Sequence, residues 1–218
     1  MNALSETWSW LTTADHWTGG AGVFARLVQH LQLSAEALLL AGVVAIPLAL
    51  ILGHVGRGSW LVVSLANASR AVPVLAVLVL LVLRMGIGDR PVVYALAIFA
   101  FPPMVTNTYA GVRGVDPEVR DAARGLGLSG NQMLRRVELP LALPLIAAGV
   151  RTAAVQVVAT ATIAAIVGSG GLGRFIVDGF QTNDYGQLVS GVLVVALLAL
   201  AIELTLGAAE RRLDPLQR

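Results

Sequence analysis

Residues 38–53 read LLLAGVVAIPLALILG, sixteen successive positions without a charge, a hydroxyl or an amide side chain. A helix needs about 20 mostly apolar residues to cross the hydrocarbon core of a bilayer, and widening the window to 33–53 reaches that length, with Glu36 near its start. The same criterion selects 60–83, 91–111, 141–167 and 188–207. The stretch 60–83 holds Arg70 and Pro73, and 91–111 carries a Pro102-Pro103 break before a polar end at Thr106, Asn107 and Thr108. Arg151 falls in the fourth stretch and Glu203 in the fifth. Of 218 residues, 56% are hydrophobic and 13% charged, where a soluble domain is about a quarter charged. The expected fold class is all-α: a polytopic membrane protein with about five transmembrane helices.

Composition excludes several chemistries. With no cysteine there is no disulfide framework, thiolate nucleophile or Cys-ligated metal. His16, His30 and His54 lie too far apart to be read as a metal site, so no metal is expected. The net charge of +2 comes from scattered arginines and gives no case for nucleic acid. All fifteen basic residues are arginine. A P-loop needs a lysine to reach the nucleotide phosphates, so any ATP-driven step must lie on another chain. Residues 1–22 lack a basic region leading into a short apolar core, so no cleavable signal is expected.

Arginine placement sets the expected orientation. Arg57, Arg113, Arg120, Arg124, Arg135, Arg136, Arg211, Arg212 and Arg218 fall on one side of a five-span topology, against Arg26, Arg84, Arg90 and Arg174 on the other. The positive-inside rule then puts the N-terminus outside, and the 112–140 loop and C-terminus in the cytoplasm. Residues 1–32 form an extracytoplasmic segment ahead of a membrane domain at 33–218. Within that segment Phe24, Leu27, Val28 and Leu31 recur at helical spacing, which reads as a short interfacial helix. Trp8, Trp10 and Trp17 are candidate anchors at the lipid headgroups.

The longest connection, 112–140, is VRGVDPEVRDAARGLGLSGNQMLRRVELP. Asp116-Pro117-Glu118 supplies a helix N-cap, a proline at the first position and an acid in the first turn. Ser129 with Gln132 makes a capping box. Gly125, Gly127 and Gly130 supply a reversal between them, and Pro140 is expected to break the second helix where the fourth span begins. The loop therefore reads as a helix–turn–helix, about ten residues a side. Ala122 and Ala123, beside Asp121 and flanked by Arg120 and Arg124, suit a helix laid in a groove of a cytoplasmic protein. A partnerless surface helix fits those residues equally well.

Asp121-Ala122-Ala123, then Gly127, then Glu138-Leu139-Pro140 resembles the EAA loop of binding-protein-dependent ABC importer permeases, with Asp for the usual Glu. The phrases NTYAGVRGVDPEVRDAARGLGLS (107–129), VELPLALPLIAAGVRTA (137–153) and ATIAAIVGSGGLGRFI (161–176) resemble its osmoprotectant branch, which imports glycine betaine, carnitine, choline or proline. That resemblance implies the type I importer permease fold in a bacterial inner membrane. It also implies ATPase coupling through Asp121, Ala122, Ala123, Gly127, Glu138 and Pro140. Partners would be ABC ATPase subunits, an extracytoplasmic substrate-binding protein and a second permease chain, identical or paralogous. ATP and magnesium would bind the ATPase, leaving no cofactor on this chain. A methionine-type amino-acid permease is the nearest alternative, and an ion-coupled secondary transporter a more distant one.

Two stretches match the dinucleotide pattern G-x-G-x-x-G, at 125–130 and 168–173, but neither follows a strand, so both read as structural. Thr152, Gln156 and Thr160 recur every four residues and make one polar stripe on the fourth span. Asn67, Asn107, Gln156 and Thr160 are the candidate translocation-path residues; for any one residue of the stripe, helix packing is the slightly favoured alternative. Charges inside spans cost at least about 2.5–3.5 kcal/mol unless paired, and Arg151 with Glu203 is the expected pair.

Overall fold

A computed structural model describes residues 3–213, with side chains described except at 3, 68–70 and 213. Arg70 thus falls outside the described side chains. Among the described residues every regular element is helical. Helix α1 (Ala3–Thr12) leads through a 3₁₀ turn at Ala14–His16 to α2 (Val23–Val55). The expected interfacial helix is not separate: Phe24, Leu27, Val28 and Leu31 form the first turns of α2. Nothing between 32 and 33 stops a helix, because Ser34 does not cap but returns its hydroxyl to the His30 carbonyl at 2.8 Å. The helix closes at Gly56, in the left-handed conformation.

The span expected at 60–83 is two helices, α3 (Ser59–Ala71) and α4 (Val74–Met85). Pro73 has no N–H to continue the helix and pushes Val72 toward extended backbone, so it divides the stretch. Neither half can cross a bilayer alone, which leaves, among the described residues, four helices long and apolar enough to do so. The next helix, α5 (Asp89–Arg113), runs on through Pro102 and Pro103, so the expected break there does not occur. The two prolines instead leave the carbonyls of Ile98 and Phe99 without their usual donors.

In the long connection, α6 (Pro117–Gly125) and the single turn α7 (Gly130–Met133) flank the glycine reversal. A π-helical turn at Leu134–Glu138 then runs directly into α8 (Leu139–Thr160). Pro140 does not break the chain there. The wider turn, in which Leu139 N–H reaches Leu134 O, accommodates a residue without a donor, and the helix continues. Beyond α8 come a 3₁₀ segment (Ala161–Val167), α9 (Gly173–Thr182), between two expected spans, and α10 (Tyr185–Leu213).

Small residues bring the central helices together. Ala37, Ala41, Ala45 and Ala49 recur every four residues on α2, each at most 3% exposed, and pack with Ala95, Ala100 and Met104 of α5. Where α5 meets α8, a Cβ at Gly149 would lie 2.7 Å from the Asn107 Cβ, so only glycine permits that approach. At the N-terminal end the expected headgroup anchors divide. Trp8 is exposed, whereas Trp10 is buried, stacked on His16 at 4.4 Å and edge-on to Phe175. Trp17 is half-buried and donates its indole N–H to Leu11 O at 2.8 Å.

Candidate functional site

The 112–140 loop is capped as its residues dictate. Asp116 accepts the Glu118 N–H at 2.8 Å, and Ser129 and Gln132 complete a reciprocal capping box. Gly127, with φ +81°, sits just past the end of α6. Its N–H reaches Arg124 O and that of Leu128 reaches Ala123 O, so the reversal is a Schellman motif. Of the residues expected to face a partner, Asp121 and Ala122 are exposed on α6. Ala123 is not: it is buried against the chain's own body, which corrects its expected place on a docking surface. Outward-facing Val119 and Leu126, seven residues apart, join Ala122 in one exposed apolar stripe that the sequence reading missed. An exposed Asp121–Arg124 pair at 3.1 Å borders it.

Glu138 faces inward and is 2% exposed. Its Oε2 lies 2.6 Å from Nδ1 of His54, in the last turn of α2, and its Oε1 3.3 Å from Nε of Arg120 on α6. Arg120 also donates from Nη2 to the carbonyl of Val112, in the last turn of α5. One carboxylate therefore joins α2, α6 and the π turn, with α5 held through the same arginine. Pro140 is exposed at the start of α8.

A cavity of about 610 Å³ opens between α3, α5 and α8. Thr106, Asn107, Thr152 and Gln156 contribute its polar wall, with Ala66 and Phe99 among the apolar lining. The structure thus brings Asn107 and Gln156 together. Thr160, at the end of α8, and Asn67, exposed on α3, do not line it. Among the described residues no charged side chain does. Asn107 is held by its own helix, donating from Nδ2 to Pro103 O at 2.8 Å.

Arg151, a charge within an expected span, is doubly paired. Arg151 Nη1 meets Glu203 Oε1 at 2.9 Å, as expected, and its Nε meets Glu210 Oε2 at 3.0 Å. Gly207, midway between the two acids on α10, makes room: a Cβ there would lie 3.3 Å from Nη1. At the opposite end of α8 the 168–173 glycines wrap α2. Leu172 N–H reaches His30 Nδ1 at 3.3 Å, and the His30 Nε2 is 2.8 Å from Val158 O. That pattern requires a neutral ring with its proton on Nε2. Ser169 donates to Asp89 at 2.5 Å, tying the same loop to the start of α5.

The family described as "Binding-protein-dependent transport system inner membrane component" matches residues 45–218. The chain is 33% identical over 198 residues to the choline transport system permease protein OpuBB of Bacillus subtilis, covering 91% of each. It is 36% identical to the carnitine transport permease protein OpuCB of Listeria monocytogenes, covering 90% of each. With the osmoprotectant import permease protein OsmW of Salmonella typhimurium the identity is 34%, over 94% of this chain and 98% of that one. Among solved structures, an inward-facing form of the MetNI methionine ABC transporter superposes with a TM-score of 0.75 at 19% identity, covering 88% of this chain and 96% of that one. That last likeness is one of fold.

Proposed function

The chain belongs to the binding-protein-dependent transport system inner membrane components, and from that premise we propose that it carries small osmoprotectants such as glycine betaine, choline, carnitine or proline into the cell. It is a multi-pass inner-membrane permease subunit of an ABC importer, and ATP hydrolysis lies on a separate chain. The observation that carries the substrate class is the 33–36% identity, over nine-tenths of the chain, to permeases named for choline, carnitine or osmoprotectant transport. The weakly polar cavity beside Asn107, Thr152 and Gln156, with no charge among its described lining residues, is compatible with such solutes. It can hydrogen-bond a carboxylate or hydroxyl without holding it as a fixed ion pair.

In this reading α6 seats in a groove of the ATPase through Val119, Ala122 and Leu126, with Asp121 and Arg124 orienting it. Gly127 and the capping box fix its pose, and Glu138 and Pro140 shape its connection to α8. ATP and magnesium bind the ATPase and not this chain. The cavity lies on one side of a single copy, so a second permease chain completes the path. Specificity is shared with the extracytoplasmic binding protein.

The test is uptake into proteoliposomes holding this permease, its ATPase and its binding protein, assayed with radiolabelled glycine betaine, choline, carnitine, proline and methionine. ATP-dependent accumulation of one or more of the first four, without methionine, is expected. Methionine uptake alone would move the substrate class to amino acids, and uptake that needs an ion gradient instead of ATP would reject the importer reading.

A further inference from the structure

Glu138 does more in this molecule than begin a transmembrane helix. It is a carboxylate with 3% of its side chain exposed; its Oε2 is hydrogen-bonded to His54 and its Oε1 is ion-paired to Arg120, on two other elements. Burying an ionised group costs several kcal/mol unless it is paired and hydrogen-bonded, so the three side chains hold one another in place. His54 is the more accessible partner, with 28% of its side chain exposed, and Arg120 the less, at 13%. Among the described residues of α6, Arg120 is the side chain ion-paired to another element, while Asp121 and Arg124 pair with each other at the surface. Val115, Ala123 and Met133 are buried apolar anchors of the same connection. The site at which Glu138 is held is also the π turn, where the i→i−4 ladder gives way to an i→i−5 bond, a feature often found at functional sites.

We infer that Arg120, Glu138 and His54 form the mechanical link by which displacement of α6 is passed to α2, α5 and the start of α8. They are positioning residues for transport, distinct from the exposed stripe that meets the ATPase. Without the link α6 still docks, but its movement is no longer transmitted to the helices that line the cavity. Arg120 is suited to this because a guanidinium can serve the Val112 carbonyl and the Glu138 carboxylate together, a fork that lysine cannot reproduce.

The inference rests on the reading of α6 as the ATPase-docking helix, and the experiment separates the two. The complete importer, with ATPase and binding protein, is reconstituted with Arg120→Gln, Arg120→Lys, Glu138→Gln, His54→Gln or Leu126→Glu permease. Co-purification of the ATPase, ATP hydrolysis and glycine betaine uptake are measured on each. Arg120→Gln and Glu138→Gln are expected to retain the ATPase and its hydrolysis while betaine moved per ATP falls about tenfold, within the range of measured coupling effects. Arg120→Lys should recover part of that ratio and His54→Gln lose less of it. Leu126→Glu should release the ATPase; if it retains both ATPase and transport, the docking reading fails. If Leu126→Glu does release it but Arg120→Gln leaves betaine per ATP unchanged, or itself releases the ATPase, the link is overturned. Should Glu138→Gln fail to fold, the arginine and histidine variants decide the matter by the same ratio.

Discussion

Arg151 illustrates how far one residue can be read from physical cost alone. A guanidinium placed within an apolar stretch demands a counter-charge, and Glu203 was the acid within reach of a neighbouring span. The structure adds Glu210 as a second partner. That acid was missed because it lies past the expected end of the last span, next to Arg211 and Arg212, where it passed for an ordinary surface charge. These side chains are between a quarter and a half exposed. Removing the cation is therefore expected to cost about 1–3 kcal/mol, between the values for exposed and fully buried pairs. Arg151→Ala should lower the melting temperature of the detergent-solubilised protein, and Arg151→Ala combined with Glu203→Ala and Glu210→Ala should recover much of the loss. If the triple variant melts no higher than the single one, unpaired charge is not the cause. His54 and Glu138 show the opposite limit. They are 84 residues apart, and nothing local in either neighbourhood signals that a histidine ending one helix meets a carboxylate in a π turn of another.

Elements were legible where the signal is local. The caps of α6 and α7 stand where Asp116-Pro117 and Ser129-Gln132 put them, because each is a bond between a side chain and a backbone N–H two or three residues away. Breaks were less legible. Pro73 divides its stretch, yet Pro47, Pro102, Pro103 and Pro144 all lie inside continuous helices, since packed neighbours and polar side chains offset a missing bond. The glycines of the 112–140 reversal sort by backbone angle and not by type. A Cβ at Gly125 or at Gly127 would meet nothing within 4 Å, but Gly127 alone of the two has a positive φ, of 81°. Gly125→Ala should therefore stabilise α6 by roughly 0.4–1 kcal/mol through the unfolded state, whereas Gly127→Ala should destabilise it by about 1–2 kcal/mol. Hydrogen exchange of the α6 amides, slower in the first variant and faster in the second, would show both signs in one experiment. Equal effects would mean that the left-handed turn does not set the pose of the helix.

For the whole molecule, the question is which face of the bundle solute passes. The alanine ladder of α2 against α5, and the glycine contact of α5 against α8, close those two interfaces too tightly for a solute. The polar cavity lies on the side of α5 and α8 toward the divided α3–α4 stretch, where Pro102 and Pro103 lack backbone donors and polar side chains gather; a second cavity of about 440 Å³, between α2, α5 and that stretch, has a lining of apolar residues and Tyr94. The stripe Thr152, Gln156, Thr160 was visible as a four-residue repeat, but its extent was not. The cavity takes Thr152 and Gln156, while Thr160, the last residue of α8, lies outside its lining. On the proposed path, solute meets Thr152 and Gln156 and not Thr160. Replacing Gln156 by Leu removes an amide of similar length that can bond a passing carboxylate or hydroxyl, a loss of about 0.5–1.5 kcal/mol, or roughly three- to tenfold in uptake rate at low substrate. Thr160→Val, close in shape and on the same helix, should leave uptake within about twofold, as expected for a position away from the path. Both variants should bind the ATPase as the unaltered permease does, since neither touches the 112–140 loop. Initial rates of betaine uptake measured side by side decide it: equal losses would place the path elsewhere along α8, and a larger loss at Thr160 would put it at the 3₁₀ end of the helix.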